Sequence, residues 1–552
     1  MRLPANTNLI AYYCAEFGID SNLPTYAGGL GVLAGDIVLE AAERDIPLVG
    51  VGLLYRGDQF IQKVREDGWQ YEETSPFRPE STQSIRVVEL HGKPLDVAVH
   101  LAETTITVRA YQQRLGDYTT LFYLTTDIAE NADPQRSILN IEYCCDIENQ
   151  LNQQMVLGIG GAKILDKLSL RPSITHFNEG RPIFAHWEMT RQLMVRKKLT
   201  FEVANKQVTE KTIYTNHTLV PAGNLEYNTE LIQRYAAPYA KEMDIDPQLL
   251  VTPGLLKEKQ DIFSITQYAL NVSSSAQAVS KAHGTLAKKQ WPGYKWVAIT
   301  NGVHMRRWQH RDFTIANMST PQLWQAHLRR KTSLEREVRL RTGFGYDTSR
   351  LVIGWGRRVS AHKRPLALFA DIDRLSTILH NTERPVQLLI AGKAHSGDDE
   401  SKRMIQEIII HMQTALAGAA IFVPNFDIDL AREMTQGCDV WLNTPQKDTE
   451  ASGTSGIKAL SNGVLNMTVE DGWAAEPDWN GVGWALDNKR VSESIYELLE
   501  GQVIPCFYDR GQDNIPIKWV EMMMHSINLA RKYSLERMIE EYKTKLYSPN
   551  QI

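Results

Sequence analysis

Leu351-Val352-Ile353-Gly354-Trp355 is an unbroken apolar run, and Arg357-Arg358-Val359-Ser360-Ala361-His362-Lys363-Arg364 follows it almost at once. A short run without polar alternation reads as a strand buried on both faces, the mark of a parallel sheet covered by helices. The unit recurs downstream. Val386-Gln387-Leu388-Leu389-Ile390, Ala420-Ile421-Phe422-Val423, Cys438-Asp439-Val440-Trp441-Leu442 and Val464-Leu465-Asn466-Met467 are further strand-length runs. Helical stretches separate them, from about His362, from about Asp398 to Leu416, and near Ile428–Thr435. Upstream the pattern is more interrupted, with strands expected at Leu9–Ala15, Leu48–Leu54 and Thr212–Thr215 and a helix over Leu30–Arg44. Residues 60–130 alternate apolar and polar, as in Ile106-Thr107-Val108-Arg109-Ala110, which predicts an antiparallel insertion. The fold class is α/β: two doubly wound, Rossmann-like domains facing a central cleft, residues 1–302 and 303–552, with the boundary near Thr300–Trp308 and the last helix free to cross back. Ligands of such sheets bind beyond the carboxyl ends of the strands, so the chemistry is sought in strand-to-helix loops.

The chain has 552 residues, 43% hydrophobic and 23% charged, a balance that excludes a disordered, fibrous or disulfide-scaffold protein. The formal net charge of −5 supplies no basic excess to drive binding of nucleic acid or an anionic membrane. The five cysteines, Cys14, Cys144, Cys145, Cys438 and Cys506, form no C-x-x-C pair and predict a reduced protein with no metal site. The run Leu9–Ala15 reads as a first strand rather than a signal peptide, because two tyrosines interrupt it and Glu16-Phe17 stands where a small-residue cleavage site would be. A cytoplasmic protein is expected. There is no G-x-x-x-x-G-K-[ST] phosphate loop, H-E-x-x-H or G-x-S-x-G, which removes weight from phosphate-loop ATPases, zinc peptidases and α/β-hydrolases.

Three loops stand out. In Tyr26-Ala27-Gly28-Gly29-Leu30-Gly31 the glycines allow close backbone approach, and the helix that follows offers unpaired N–H groups to an anion. A tight structural turn is the competing reading. Arg357 to Arg364 place a cluster of cations at a strand's carboxyl end, where Arg supplies a planar fork and Lys a point charge for a phosphate-sized dianion. A solvated charge run is the alternative there. Glu450-Ala451-Ser452-Gly453-Thr454-Ser455-Gly456-Ile457-Lys458 combines small residues, hydroxyls, one carboxylate and one lysine, a set suited to phosphate and sugar hydroxyls. These residues by themselves indicate a two-domain, phosphate-using transferase and no more.

In order and spacing the motifs resemble the α-glucan phosphorylases, the glycogen, starch and maltodextrin phosphorylase family, in its shorter bacterial form. The resemblance is carried by Ala15–Gly18, Leu23–Asp36, Gly52–Arg56, Asp67–Gln70, Asn178-Glu179-Gly180, Thr215–Thr218, Ile299–Val303, Ala391–His395, Asp439–Asn443 and above all Glu450–Asn466, and it spans residues 8 to 490. It implies a GT-B fold and pyridoxal 5′-phosphate bound as an aldimine to Lys458. The implied reaction is cleavage of α-1,4-glucan or maltodextrin ends by inorganic phosphate to give α-glucose 1-phosphate. By position, Lys458, Arg358, Lys363 and Glu450 are the implied catalytic residues, with Arg358 and Lys363 on the substrate phosphate. Arg357, Thr454, Ser455, Gly28 and Gly29 would surround the cofactor phosphate. Leu30, Glu450, Ser452 and Gly453 would face the sugar, with His362, Asn178, Glu179 and His217 lining the cleft.

Four departures fall on the acceptor side of that pattern: His362 for Tyr, Arg181 for His, Gln277-Ala278 for Asn-Gly, and Gln446-Lys447-Asp448 for a more arginine-rich stretch. They leave open the preferred glucan and keep two other readings standing: a GT-B nucleotide-sugar glycosyltransferase of the glycogen-synthase kind, and a catalytically silent glucan-binding homologue. A homodimer is compatible with the family and unspecified by these residues.

Overall fold

The computed structural model describes residues 8–57, 60–74, 76–142, 146–220, 223–314 and 318–547; Cys144 and Cys145 lie outside them. Cys14, Cys438 and Cys506 are free thiols. Among the described residues no helix is long and apolar enough to cross a membrane.

The strands of the first half that matter below are β1 (Ile10–Tyr13), β2 (Leu48–Leu53), β3 (Ile61–Val64), β4 (Gln70–Glu73), β5 (Asp96–Leu101), β6 (Thr104–Arg114), β7 (Thr119–Thr125), β8 (Ile174–Asn178), β9 (Thr212–Asn216), β10 (Ser275–Ala278) and β11 (Trp296–Ala298), with short further strands, among them Arg86–Val87 at the edge beside β6. One sheet runs β11-β10-β9-β8-β1-β2-β7-β6, parallel from β11 to β7, with β6 antiparallel to both β7 and β5. β3 and β4 form a separate antiparallel hairpin. The expected antiparallel insertion is therefore there, but β7 returns to the main sheet beside β2.

The second half contributes β12 (Leu351–Gly356), β13 (Val386–Ala391), β14 (Ala420–Val423), β15 (Val440–Asn443), β16 (Leu465–Val469) and β17 (Gly483–Leu486), parallel throughout in the order β14-β13-β12-β15-β16-β17. Both sheets are mixed with helices into an α/β protein. The helices that matter below are α1 (Gly29–Glu43), α2 (Met305–Trp308), α3 (Thr320–Thr342), α4 (Asp399–Gln413), α5 (Ile428–Gly437), α6 (Ser455–Leu460) and α7 (Leu535–Lys545).

Successive strand residues feed opposite faces, as the pleat requires. Ala11 and Tyr13 join one apolar cluster, and Ile10 and Tyr12 another. In β12, Leu351, Ile353 and Trp355 pack on one side and Val352 on the other. Both faces are covered, which is why these strands show no polar alternation. Leu535, Met538, Ile539 and Tyr542 of α7 complete the cluster around Ile10, Tyr12 and Ile37.

Two sequence expectations change. The helix expected from His362 is a pair of 3₁₀ turns, Ala361–Lys363 and Pro365–Phe369, followed by a helix over Ile372–Leu379. Pro365 disfavours helical backbone at the residue before it, and Arg364 turns left-handed with φ 49°. The cationic segment is thereby folded back over the strand end. Gln277 and Ala278, read above as an acceptor-side departure, are both fully buried inside β10. Gln277 accepts from Thr215 Oγ1 (2.6 Å) and Tyr542 Oη (3.2 Å) and donates to the carbonyls of Ala278 and Ile299, so its size serves the sheet interior.

Candidate functional site

A cavity of about 350 Å³ lies where the first sheet's glycine loop meets the carboxyl ends of β12, β13 and β15. Its polar wall is built around Glu450. Glu450 Oε2 lies 3.1 Å from Arg357 Nη1, and Oε1 lies 3.0 Å from Lys363 Nζ. Burial alone would raise this carboxyl, but the Arg357 and Lys363 charges outweigh it and hold it at about 2. Burial in turn lowers the Lys363 ammonium below the usual lysine range, against the pull of Glu450. Arg357 is fixed further by Asn443 Oδ1 and by Ser455 Oγ at 3.3 Å. The Glu450 N–H donates to Asp471 Oδ2 at 3.0 Å, anchoring the loop to the adjoining strand end. A Cβ at Gly453 would stand 1.9 Å from Glu450 Oε1, so only glycine lets the loop close on its own carboxylate.

Lys458 closes the far end of the cavity. It is 7% exposed, and its Nζ sits 3.7 Å from the centroid of the Trp308 ring. Burial lowers its ammonium to about 7, with Asp36 opposing and Arg307 assisting. Among the described residues no carboxylate pairs with it. Trp308 is held by Asp36, whose Oδ2 accepts from Trp308 Nε1 (2.8 Å) while Oδ1 takes Arg307 Nη1 (3.0 Å). An amine whose neutral form is well populated near neutrality, on an aromatic floor and beside a cationic wall, suits an aldehyde that also carries a phosphate. The hydroxyl of Thr454 makes no capping bond and lines the same cavity.

The glycine loop supplies the opposite wall differently from expectation. Glu16 Oε2 accepts from the N–H groups of Ala27 (3.0 Å), Gly28 (3.0 Å) and Gly31 (3.3 Å). The start of α1 therefore already holds an anion, the protein's own carboxylate, and the Gly28 N–H is spent on it. The Gly29 N–H is not one of the three, and the loop also leaves space: a Cβ on Gly28 or Gly29 would meet nothing within 4 Å.

Of the residues singled out from sequence, Lys458, Arg357, Arg358, Lys363, Glu450, Gly453, Thr454, Ser455, Gly28 and Gly29 meet at this cavity. Ser452 is next to them with its Oγ buried and unpartnered, as is Asn301 Oδ1, whose Nδ2 reaches the Ser452 carbonyl at 3.3 Å. Neither Ser452 nor Asn301 is among the residues that line the cavity itself. Leu30 packs on the first sheet's core. His362 holds Gln446 N–H through its carbonyl, and burial beside Lys363 lowers its ring to about 4.

Asn178, Glu179 and His217 form a cluster of their own at the ends of β8 and β9. His217 Nε2 lies 2.6 Å from Asn178 Oδ1, and Glu179 Oε1 accepts the His217 N–H at 2.5 Å. Burial raises the Glu179 carboxyl to about 8, against the backbone hydrogen bond and the Arg181 charge. None of the three lines the cavity around Lys458. Glu16, Asp36, Asn301, Trp308 and Lys393 were not assigned roles from sequence. Their partners are distant in the chain, and only the quoted motifs around Glu16, Asp36, Asn301 and Lys393 gave any signal.

The sequence profile of the carbohydrate phosphorylases matches residues 311–477. The chain is 33% identical to the maltodextrin phosphorylase of Thermococcus litoralis, over 98% of this chain and 70% of the relative. It is 32% identical to the glycogen phosphorylase of Aquifex aeolicus, over 98% and 86% respectively. It is 31% identical to the glycogen phosphorylase of Mycobacterium tuberculosis, over 98% and 71%.

Proposed function

The chain belongs to the carbohydrate phosphorylase family, and from that premise we propose that it is an α-glucan phosphorylase, releasing α-glucose 1-phosphate from α-1,4-glucan or maltodextrin ends with inorganic phosphate. The observation that carries the reading is Lys458: a buried amine on an aromatic floor, facing a wall of cations across one cavity. The donor set fits pyridoxal 5′-phosphate, the family's cofactor. Lys458 would hold it through the amine, and Arg357, Thr454 and Ser455 would face its phosphate, with Gly28 and Gly29 leaving room for it. Bound there, the cofactor supplies a phosphate group able to pass a proton to and from the substrate phosphate.

The chain's own residues do the rest. Arg358 and Lys363 bind inorganic phosphate next to that group and hold its charge in a water-poor site. Glu450, Ser452 and Gly453 take hydroxyls of the terminal glucose, with Glu450 and Gly453 lining the cavity. As the glycosidic C–O bond breaks, the leaving oxygen takes a proton from the inorganic phosphate held by Arg358 and Lys363, positive charge develops on the glucosyl ring, and an oxygen of that phosphate forms the new bond at the same carbon. Both the sugar and phosphate ends are thus fixed by one salt-bridged wall, so a pair of glycosidase carboxylates is not needed. We assign residues 1–302 and 303–552 to the two Rossmann-like domains of a GT-B fold, a division supported by the two separate sheets.

The test is release of glucose 1-phosphate from maltodextrin. It is expected only with added phosphate and with near-ultraviolet absorbance of a bound pyridoxal group. Sugar transfer from a nucleotide sugar without that chromophore would overturn the reading.

A further inference from the structure

Arg357 and Arg358 leave β12 beside the end of β13, and the two segments stay paired past the strands. The Arg357 N–H donates to the Ala391 carbonyl (3.2 Å) and the Val359 N–H to the Lys393 carbonyl (2.9 Å). Gly392 permits this approach, since a Cβ there would lie 2.5 Å from the Arg357 carbonyl oxygen and 2.8 Å from Val359 Cγ2. Lys393 is thereby set next to Arg358, and its side chain lines the cavity.

The charge on Lys393 is unusual in its partners. Nζ donates to the Phe60 carbonyl at 3.2 Å and stands 5.2 Å from the Phe60 ring centroid. Among the described residues no carboxylate lies within ion-pairing distance of it. Asp427 lines the same cavity but is spent on Arg341 (3.0 and 3.2 Å) and on capping α5 through the Leu430 N–H (2.8 Å). Burial lowers the Lys393 ammonium to about 8, with Asp427 opposing, so it is mostly charged at neutrality. A largely buried cation answered only by a neutral carbonyl and a ring bears a desolvation cost that an anion in the cavity would offset.

The strand order places it. β13, β12 and β15 are neighbours, so Lys393, the Arg357–Arg358 pair and the loop to Lys458 rise from three successive strand ends. Lys393 is therefore across β12 from the lysine assigned to the cofactor, on the side of Arg358.

We propose that Lys393 is a further binding residue for the inorganic phosphate that attacks the glucan, aimed into the cavity by Phe60 at the foot of the β3–β4 hairpin. The hairpin is itself clamped to the second half. Gln62 Nε2 donates to the Gly392 carbonyl (2.8 Å), Gln70 Nε2 to the Ala394 carbonyl (3.0 Å), and Lys402 pairs with Glu72 at 2.9 Å. A segment of the first half thus sets the direction of a cation from the second. The inference rests on the proposed function for the identity of the anion.

The experiment compares holoenzyme of wild type, Lys393→Gln and Lys393→Arg by calorimetric titration with inorganic phosphate and by KM for phosphate and for maltodextrin. Lys393→Gln should weaken phosphate binding and raise its KM about ten- to a hundredfold. The maltodextrin KM and the cofactor absorbance should stay at wild-type values, and Lys393→Arg should recover most of the loss. Unchanged phosphate affinity in Lys393→Gln overturns the proposal. So does a parallel loss of phosphate and maltodextrin affinity with a lowered melting temperature, which would make Lys393 a hairpin clamp. If wild type binds phosphate without releasing glucose 1-phosphate, the proposed function fails, while the calorimetric comparison still decides the role of Lys393.

Discussion

The second sheet carries a buried charge cluster at each end of its strands, and the two are built on opposite plans. At the amino end, Asp439 takes Lys331 Nζ (2.6 Å), His327 Nε2 (2.7 Å) and the Val352 N–H (2.7 Å), and the side chains of all three ionisable residues are fully buried. Lys331 spends a second proton on the Arg350 carbonyl at 2.7 Å. Burial would raise the Asp439 carboxyl, but the Lys331 charge and the His327 hydrogen bond hold it below its ordinary value. At the carboxyl end, Glu450 is shared by two cations, and Lys393 and Lys458 face the same cavity with no carboxylate among the described residues ion-paired to either. The closed cluster pins β12 to β15 and answers the Asp439 and Lys331 charges with each other. The open one keeps a positive surplus that only an added anion can balance. Degree of neutralisation, more than burial or charge count, separates scaffold from site.

The contrast can be broken at either end. The largest effect is expected from Lys458→Ala, which should cut phosphate-dependent turnover by about 10²–10⁴-fold and remove the near-ultraviolet chromophore, while the melting temperature of the protein stays close to that of cofactor-stripped wild type. Retained chromophore would move the cofactor lysine elsewhere. Asp439→Ala should do the reverse. Leaving Lys331 buried and unpaired costs about 3–5 kcal/mol of stability in denaturant titration, with turnover per folded molecule preserved. A variant as stable as wild type would show that the closed cluster is not structural.

Glu450→Gln sharpens the comparison by removing the carboxylate that pairs with Arg357 and Lys363. Phosphate affinity should rise and glucan affinity fall, each by about tenfold, because the same side chain neutralises the cations and binds the sugar. Both worsening together would separate those roles. The gentlest probe is pH. Because burial lowers Lys458 to about 7, the neutral amine accumulates as pH rises through that value. Uptake of pyridoxal 5′-phosphate by cofactor-stripped protein should lose about tenfold in rate per unit below 7 and level off above it. A rise continuing to the ordinary lysine range would mean that the amine is solvated.

The strands of the second sheet were legible because unbroken apolar runs have one economical fate, and the Arg357–Arg364 and Glu450–Lys458 loops because their composition is odd for turns. Those loops alone indicate a phosphate-using transferase, and the comparison with relatives supports the phosphorylase reading that the family resemblance implies. What stayed hidden depends on pairings far apart in the chain. Glu16 filling the start of α1 is invisible in the sequence, and of the two glycine N–H groups expected to meet a ligand, that of Gly28 is already used. Trp308 under Lys458 depends on Asp36, a partner 272 residues away. Gln277 looked like a substrate-side change because the motif was read without its sheet, whose interior sets the need for that amide. Lys393 sat inside a quoted motif without a role, since its freedom from carboxylates is a property of the cavity and not of its neighbours in sequence.

The last helix has a consequence for biosynthesis. Leu535, Met538, Ile539 and Tyr542 cover apolar residues of β1 and α1, including Ile10, Tyr12 and Ile37, that leave the ribosome more than five hundred residues earlier. At about 5–20 residues per second, that interval lasts about 25–100 s. Once Ala298 has been made the first sheet has its strands, and one face then lacks its cover until α7 follows, so the nascent chain presents a half-built core to chaperones and to other chains. Truncation ahead of α7 prolongs that exposure indefinitely, and aggregation of such fragments should trace to the first half of the protein, far from the cut.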